Sequence, residues 1–149
     1  LESLANALYF PSYVSAEWAL QHYGLLTERV HAITSVTSKK SRNLTTSLGQ
    51  FEFLHLHKHR YAFGYEANPD HGFLIARPEK ALLDYLSLRG HEITELSMED
   101  LRIDTSSLLQ QTSAEDIREI LPHYHRNSQE ARLLKKLLAR KERAHGKSP

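Results

Sequence analysis

The sequence predicts an α+β fold: an antiparallel or mixed β-sheet from residues 30–76, packed by helices from both ends of the chain. Three observations predict it. Residues 30–65 are dominated by Ile, Val, Thr and aromatic side chains, and short turns separate their segments. The stretch Gly72–Leu88, GFLIARPEKALLDYLSL, reads as a buried strand, a sharp corner and a core helix. Helical patterns flank the strand-rich region on both sides rather than alternating with its strands, which argues against a parallel sheet.

Leu1–Phe10 carries Leu4, Ala5 and Leu8 on one face and reads as a short helix stopped by Pro11. It opens in mid-pattern without an initiator Met, so the chain is expected to be a fragment of something longer. Ser15 suits the N-cap of a helix over Ala16–Tyr23, with Glu17 in its first turn and Gly24 after its end. Val30–Thr37 fits a strand, Ser38–Asn43 a basic turn, Leu44–Thr46 a short strand and Ser47–Gly49 a tight turn. Gln50–Arg60 fits a longer strand, continued by or leading into Tyr61–Tyr65. Phe51 and Phe53 point one way on it while Leu54 and Leu56 point the other, so either a bulge lies near Phe53–Leu54 or both faces are covered. Short links between these segments favour antiparallel pairing.

Asn68–Gly72, NPDHG, is a turn. Phe73–Ala76 follows as a strand covered on both faces, and Pro78 sits where a helix tolerates its fixed φ and missing N–H. Leu74, Ile75, Leu82 and Leu86 are expected to be almost fully buried. Arg89 and Gly90 end the helix. Asp100–Asp104 alternates like a short edge strand, and Thr105–Gln111 is weakly helical. Ser113 caps a helix over Ala114–Leu121, which Pro122 closes; Ser128 caps the last helix, from Gln129 to about Arg143, with Leu133, Leu134, Leu137 and Leu138 as its apolar stripe.

A length of 149 residues is about one domain, expected over 1–149, with its core at 4–125 and a basic C-terminal helix at 126–149. There is no cysteine, which removes disulfides, thiolate metal sites and thiol nucleophiles. No targeting signal or long apolar run is present, so a cytoplasmic protein without a membrane partner is expected. The net charge of +1 is unevenly spread. Residues 126–149 hold eight cations against two carboxylates, a net +6, which leaves −5 for the first 125.

Candidate chemistry falls in four places. His55, His57 and His59 alternate along the expected strand and share a face. At ~3.3 Å rise per residue such neighbours stand nearly 7 Å apart. With no carboxylate in the run, neither a metal nor another cofactor is expected. Glu79, Lys80 and Asp84 sit at the corner of the central helix, where spacing alone reads as a cap and a surface ion pair, Lys80 and Asp84 being four apart. Lys39, Lys40 and Arg42 in the basic turn, and Arg132, Lys135, Lys136 and Arg140 on the last helix, read either as solvated faces or as contacts for nucleic acid or another polyanion. The chain lacks a phosphate-cradling glycine loop, a nucleophile elbow, a zinc-protease helix and a dinucleotide fingerprint, and no catalytic residue is assigned.

Three stretches at this order and spacing resemble the C-terminal domain of AbiEi-type antitoxins. They are LANALYFPSYVSAEWALQHYGL at 4–25, ITSVTSKKSRNLTTSLGQFEF at 33–53 with FGY at 63–65, and IARPEKALLDYL at 75–86. The residues that carry the likeness are Pro11, Ser12, Tyr13, Ser15, Thr34, Ser35, Pro78, Glu79, Lys80 and Asp84. The resemblance covers residues 4–90 and is loose after His91. It implies the antitoxin of a bacterial type IV toxin–antitoxin pair, acting in abortive infection (phage defence) or in the maintenance of plasmids and genomic islands. It also implies a nucleotidyltransferase-like toxin as functional partner, which the antitoxin need not bind directly. Full-length members carry an N-terminal winged helix-turn-helix that binds their own promoter. The residues before Leu4 do not supply one, so the antitoxin role carries over more readily than transcriptional regulation through sequence-specific DNA binding. The competing reading is a non-catalytic nucleic-acid-binding regulator that uses the basic turn and basic helix. A weaker third is an enzyme acting at Glu79–Asp84.

Overall fold

The structure, a computed structural model, describes residues 1–146. Lys147, part of the basic tail, lies outside the described residues. The fold is α+β, with a six-stranded mixed sheet and helices at both ends of the chain. In chain order the elements are α1 (Glu2–Leu8), β1 (Ser12–Val14), α2 (Ala16–His22), β2 (Ala32–Thr37), β3 (Arg42–Thr46), β4 (Gly49–His55), α3 (Lys58–Tyr61), β5 (Tyr65–Ala67), β6 (Leu74–Ala76) and α4 (Pro78–Leu88). There follow α5 (Glu95–Asp100), α6 (Thr105–Gln111), α7 (Ala114–Ile120), a 3₁₀ turn at Leu121–His123, and α8 (Gln129–Gly146).

The strand order is β3-β4-β2-β1-β6-β5. The sheet begins at Ser12 rather than at residue 30. β1 is three residues long, too short to show an alternation, yet all three are buried and it joins the two halves. It pairs antiparallel with β2 (Ser12 opposite Thr37) and parallel with β6 (Val14 opposite Ile75). The short links do not make every pair antiparallel. β3 and β4 form the expected hairpin, but β4 inserts between β3 and β2, so β2 and β4 run parallel. The four residues Ser38–Ser41 cross over β4 to reach the outer edge, about two strand spacings of ~4.8 Å.

Pairing along β4 is unbroken from Gln50 to His55 on the β2 side and from Gly49 to Phe53 on the β3 side, so there is no bulge at Phe53–Leu54. Residues level across the register share a face. Tyr13, Thr34, Val36 and Glu52 therefore point to one side. There α2 and α4 meet them, through Trp18 on Thr34, Lys80 on Tyr13 and Arg89 on Glu52. Ser12, Ser35, Phe51 and Phe53 point to the other side, where the Tyr9 ring, just past α1, meets Phe53 edge-on at 5.2 Å. Asn6 of α1 also takes both backbone groups of Leu74, accepting from its N–H at 2.6 Å and donating to its carbonyl at 3.4 Å.

The expected strand over Gln50–Arg60 stops at His55. Leu56 turns into the core, 5% exposed, and the His57 imidazole accepts from the His59 N–H to start α3. His55, His57 and His59 thus share no strand face. The His57 and His59 rings meet at 4.5 Å with their planes tilted by 31°, and His55 bonds the Lys39 carbonyl. Asp100–Asp104 is not an edge strand: Thr94 caps α5 through the Ser97 N–H, and of the alternating pair only Ile103 bridges, to Leu26. The core helix α4 is as expected, entered through Pro78, with Leu82 and Leu86 fully buried and Ile75 2% exposed. Leu74 is only half-buried, because it lies level with Ala67 of β5, an edge strand exposed throughout. α7 carries the expected cap, a full capping box between Ser113 and Asp116, and Ser128 caps α8 through the Ala131 N–H.

Candidate functional site

Where α4 crosses the sheet, the corner residues are not on the surface. Lys80 has no exposed area, Glu79 is 1% exposed and Asp84 3%. Nine consecutive residues of α4, Pro78–Leu86, are buried, so the helix is covered all round and its polar side chains must find partners inside.

Lys80 finds three kinds. Its Nζ donates to Asp84 Oδ1 at 2.6 Å, one helical turn on, and to the Tyr13 hydroxyl at 3.1 Å. It also stands over the Tyr13 and Phe63 rings, 5.6 and 4.9 Å from their centroids, which adds cation–π attraction in a dry setting. The second Asp84 oxygen accepts from the Ser15 hydroxyl at 2.7 Å. The Tyr13 hydroxyl itself donates to the Tyr61 carbonyl at 2.9 Å, and the Tyr13 ring stacks on Tyr65 at 4.4 Å. Ser15 stands at the N-cap of α2 as its sequence position suggests. Its hydroxyl, spent on Asp84, makes no cap bond, and the next residue, Ala16, holds φ +57. Thr34 completes the joint by donating to the Ser15 carbonyl at 2.6 Å and accepting from the Trp18 N–H at 2.9 Å. Three stretches distant in the chain are thus fastened at one buried point.

Burial disfavours both ions. It pushes the Lys80 pKa down against the pull of Asp84, and the Asp84 pKa up against the pull of Lys80, the Ser15 bond and the nearby Arg60 charge. Burial likewise raises the Tyr13 and Tyr124 hydroxyls well above the ordinary tyrosine range. Arg60 bonds Glu130 of α8 at 2.6 Å and lies over the Tyr124 ring, which ties the basic end of α3 to the C-terminal helix. Gly64 is required here: at φ +78 it faces the Lys80 stem, and a Cβ would come within 2.7 Å of Lys80 Cγ.

Glu79 points the other way. It accepts from Arg77 Nε at 2.9 Å and from the Thr112 hydroxyl at 3.4 Å, and burial raises its pKa despite these bonds. Arg77 reaches Glu119 at 3.2 Å and leaves its Nη2 without a partner. The reading of Glu79, Lys80 and Asp84 as a cap and a surface pair is therefore corrected. α2, β1 and the Phe63–Tyr65 segment close over Lys80 and Asp84, and Arg77 and Thr112 meet Glu79, which the spacing within α4 could not show.

The other resemblance residues divide. Pro11 accepts from the Thr37 hydroxyl at 2.8 Å, and Pro78 opens α4. Ser12 and Ser35 are buried on the opposite sheet face with unpartnered hydroxyls. Phe63, Gly64, Tyr61 and Tyr124 belong to the cluster but went unassigned. The one signal for them was a glycine set between two aromatic residues at 63–65.

The basic residues lie apart from this cluster. Lys39 and Lys40 are exposed at the β2–β3 turn and Arg42 at the start of β3, which begins inside the turn expected over Ser38–Asn43; Lys39 and Arg42 lie over the Tyr9 ring at 5.3 and 5.5 Å. Arg132, Lys135 and Lys136 are exposed on α8, whereas Arg140 pairs with Glu95 at 3.3 Å. Among the described residues no group of three His, Asp or Glu side chains could hold a metal ion, and no helix is long and apolar enough to cross a membrane. Comparison of the chain with protein-family models, curated proteins and solved structures finds no match.

Proposed function

We propose that this chain is a non-catalytic antitoxin module of the AbiEi type, cytoplasmic, which neutralises a nucleotidyltransferase-like toxin. The observation that carries the reading is the convergence of Tyr13, Ser15, Thr34, Lys80 and Asp84, drawn from all three resemblance stretches, into one bonded cluster. Residues that recur together in a family because they fix its fold belong in such a place. The arrangement also speaks for a structural rather than a catalytic role of the cluster. Lys80 and Asp84 satisfy each other in a closed interior, whereas an acid–base pair must reach its substrate.

Co-expression with the toxin tests this. A chain with the proposed role restores growth to cells expressing a nucleotidyltransferase-like toxin encoded beside it, without any winged helix. Rescue only by a longer, wing-bearing form, or the lack of such a neighbouring gene, would overturn the reading. The alternative, a nucleic-acid-binding regulator, draws its support from Lys39, Lys40 and Arg42 by the turn and Arg132, Lys135 and Lys136 of α8, which are exposed and pair with no carboxylate among the described residues.

A further inference from the structure

Phe10 is 73% exposed, the most exposed large hydrophobic side chain among the described residues. It is nonetheless held in place. On one side the Tyr9 hydroxyl donates to the Lys40 carbonyl at 3.0 Å, and on the other the Pro11 carbonyl accepts from Thr37. Phe10 thus follows directly on Tyr9, whose hydroxyl is bound to the turn and whose ring its cations approach. Lys39 and Arg42 flank the Tyr9 ring, and Lys40 stands next to them.

This end of the sheet is cationic and unopposed. Among the described residues no carboxylate pairs with Lys39, Lys40, Arg42 or Lys58. Between residues 38 and 65 the one carboxylate is Glu52, which faces the opposite side of the sheet from Arg42 and bonds Arg89. On α8, Arg140 is paired and Lys141 donates to the Leu109 carbonyl at 2.7 Å, while Arg132, Lys135 and Lys136 are as exposed as the turn cations. What marks the turn is the exposed Phe10 ring, next in the chain to the Tyr9 ring that Lys39 and Arg42 approach.

Cations alone would suit any polyanion. An exposed ring face beside a row of them suits an unstacked base next to its phosphates, since a base within a duplex has no face to offer. We propose that this surface binds single-stranded nucleic acid, with Phe10 stacking on a base and Lys39, Lys40 and Arg42 holding the adjacent phosphates. The proposal does not depend on the antitoxin reading.

The test is fluorescence anisotropy of the full chain with a labelled thymidine or uridine strand of about 12 nucleotides, and with a duplex of the same length. Phe10→Ala should weaken single-strand binding about 5- to 150-fold, the range for loss of one stacked base. It should leave duplex binding and the melting temperature unchanged. Reversing Lys39, Lys40 and Arg42 to Glu should abolish single-strand binding, and neutralising them to Gln should flatten its salt dependence by about two log units per log unit of salt. Binding of either strand supports the proposal, and a preference for uridine names RNA as the source. It is overturned if wild type binds neither strand at about 50 mM salt. Tighter binding of duplex than of single strand, or a Phe10→Ala variant that binds as well as wild type, would also overturn it.

Discussion

Removing either half of the Lys80–Asp84 pair should destabilise the protein far more than removing both. The two groups are 0% and 3% exposed and 2.6 Å apart, so neither can turn to water when its partner goes. Lys80→Met keeps the stem that packs on Gly64 but strands the carboxylate with the Ser15 hydroxyl. Asp84→Leu strands the ammonium with the Tyr13 hydroxyl. Stranding a buried charge costs ~3–5 kcal/mol, while replacing the whole pair by apolar groups of similar volume is often neutral or better. The double variant should therefore cost no more than ~1 kcal/mol, and the double-mutant cycle should return a coupling above ~3 kcal/mol. Urea unfolding followed by circular dichroism measures all four proteins.

The pH dependence separates the two singles. In Asp84→Leu the folded state holds the Lys80 proton less tightly than the unfolded state, whose lysine keeps its ordinary 10.5, so the deficit should shrink as pH rises from neutral. In Lys80→Met the folded state holds the Asp84 proton more tightly than an ordinary aspartate at 3.8, so the deficit should shrink as pH falls from neutral. Single variants that each cost under ~1 kcal/mol, as an exposed pair would, would refute the reasoning. So would costs that simply add.

Leu86→Ala, at a fully buried position of α4, should cost ~2–5 kcal/mol in the same unfolding assay. Gly64→Ala should lower stability well beyond Gly24→Ala in a thermal melt. Both hold φ above +70, worth ~1–2 kcal/mol, but only at Gly64 does the new methyl strike the Lys80 stem. Arg132→Glu with Lys136→Glu should keep the helical circular dichroism and change stability by under ~0.5 kcal/mol, because both are exposed and Leu133, Leu134 and Leu137 carry the packing of α8.

What could be read from the chain follows how local its causes are. The entry of α4 through Pro78, the capping box at Ser113 and the β3–β4 hairpin are each specified by a few adjacent residues, and they stand as expected. β1 was invisible because three residues carry no periodicity, and its role comes from strands 20 and 60 residues away. The insertion of β4 beside β2 is a choice between pairings that the same alternation allows. The run from His55 to His59 kept a period of two by composition, but the His57 cap bond ended the strand. The buried cluster shows the limit most clearly. Lys80 and Asp84 look like a surface pair within their own helix, and only Ser15, Tyr13 and Gly64, brought by other elements, make them internal.

We propose that this cluster fixes the scaffold of the module and that toxin neutralisation, the role proposed for it, is carried elsewhere on its surface. The most direct measurement is growth of cells co-expressing the neighbouring toxin with either wild type or the Lys80→Met, Asp84→Leu double variant, both first shown to be folded. Equal rescue by the two is expected. Rescue by wild type but not by an equally stable double variant would contradict it, and would make the Lys80–Asp84 pair the working site.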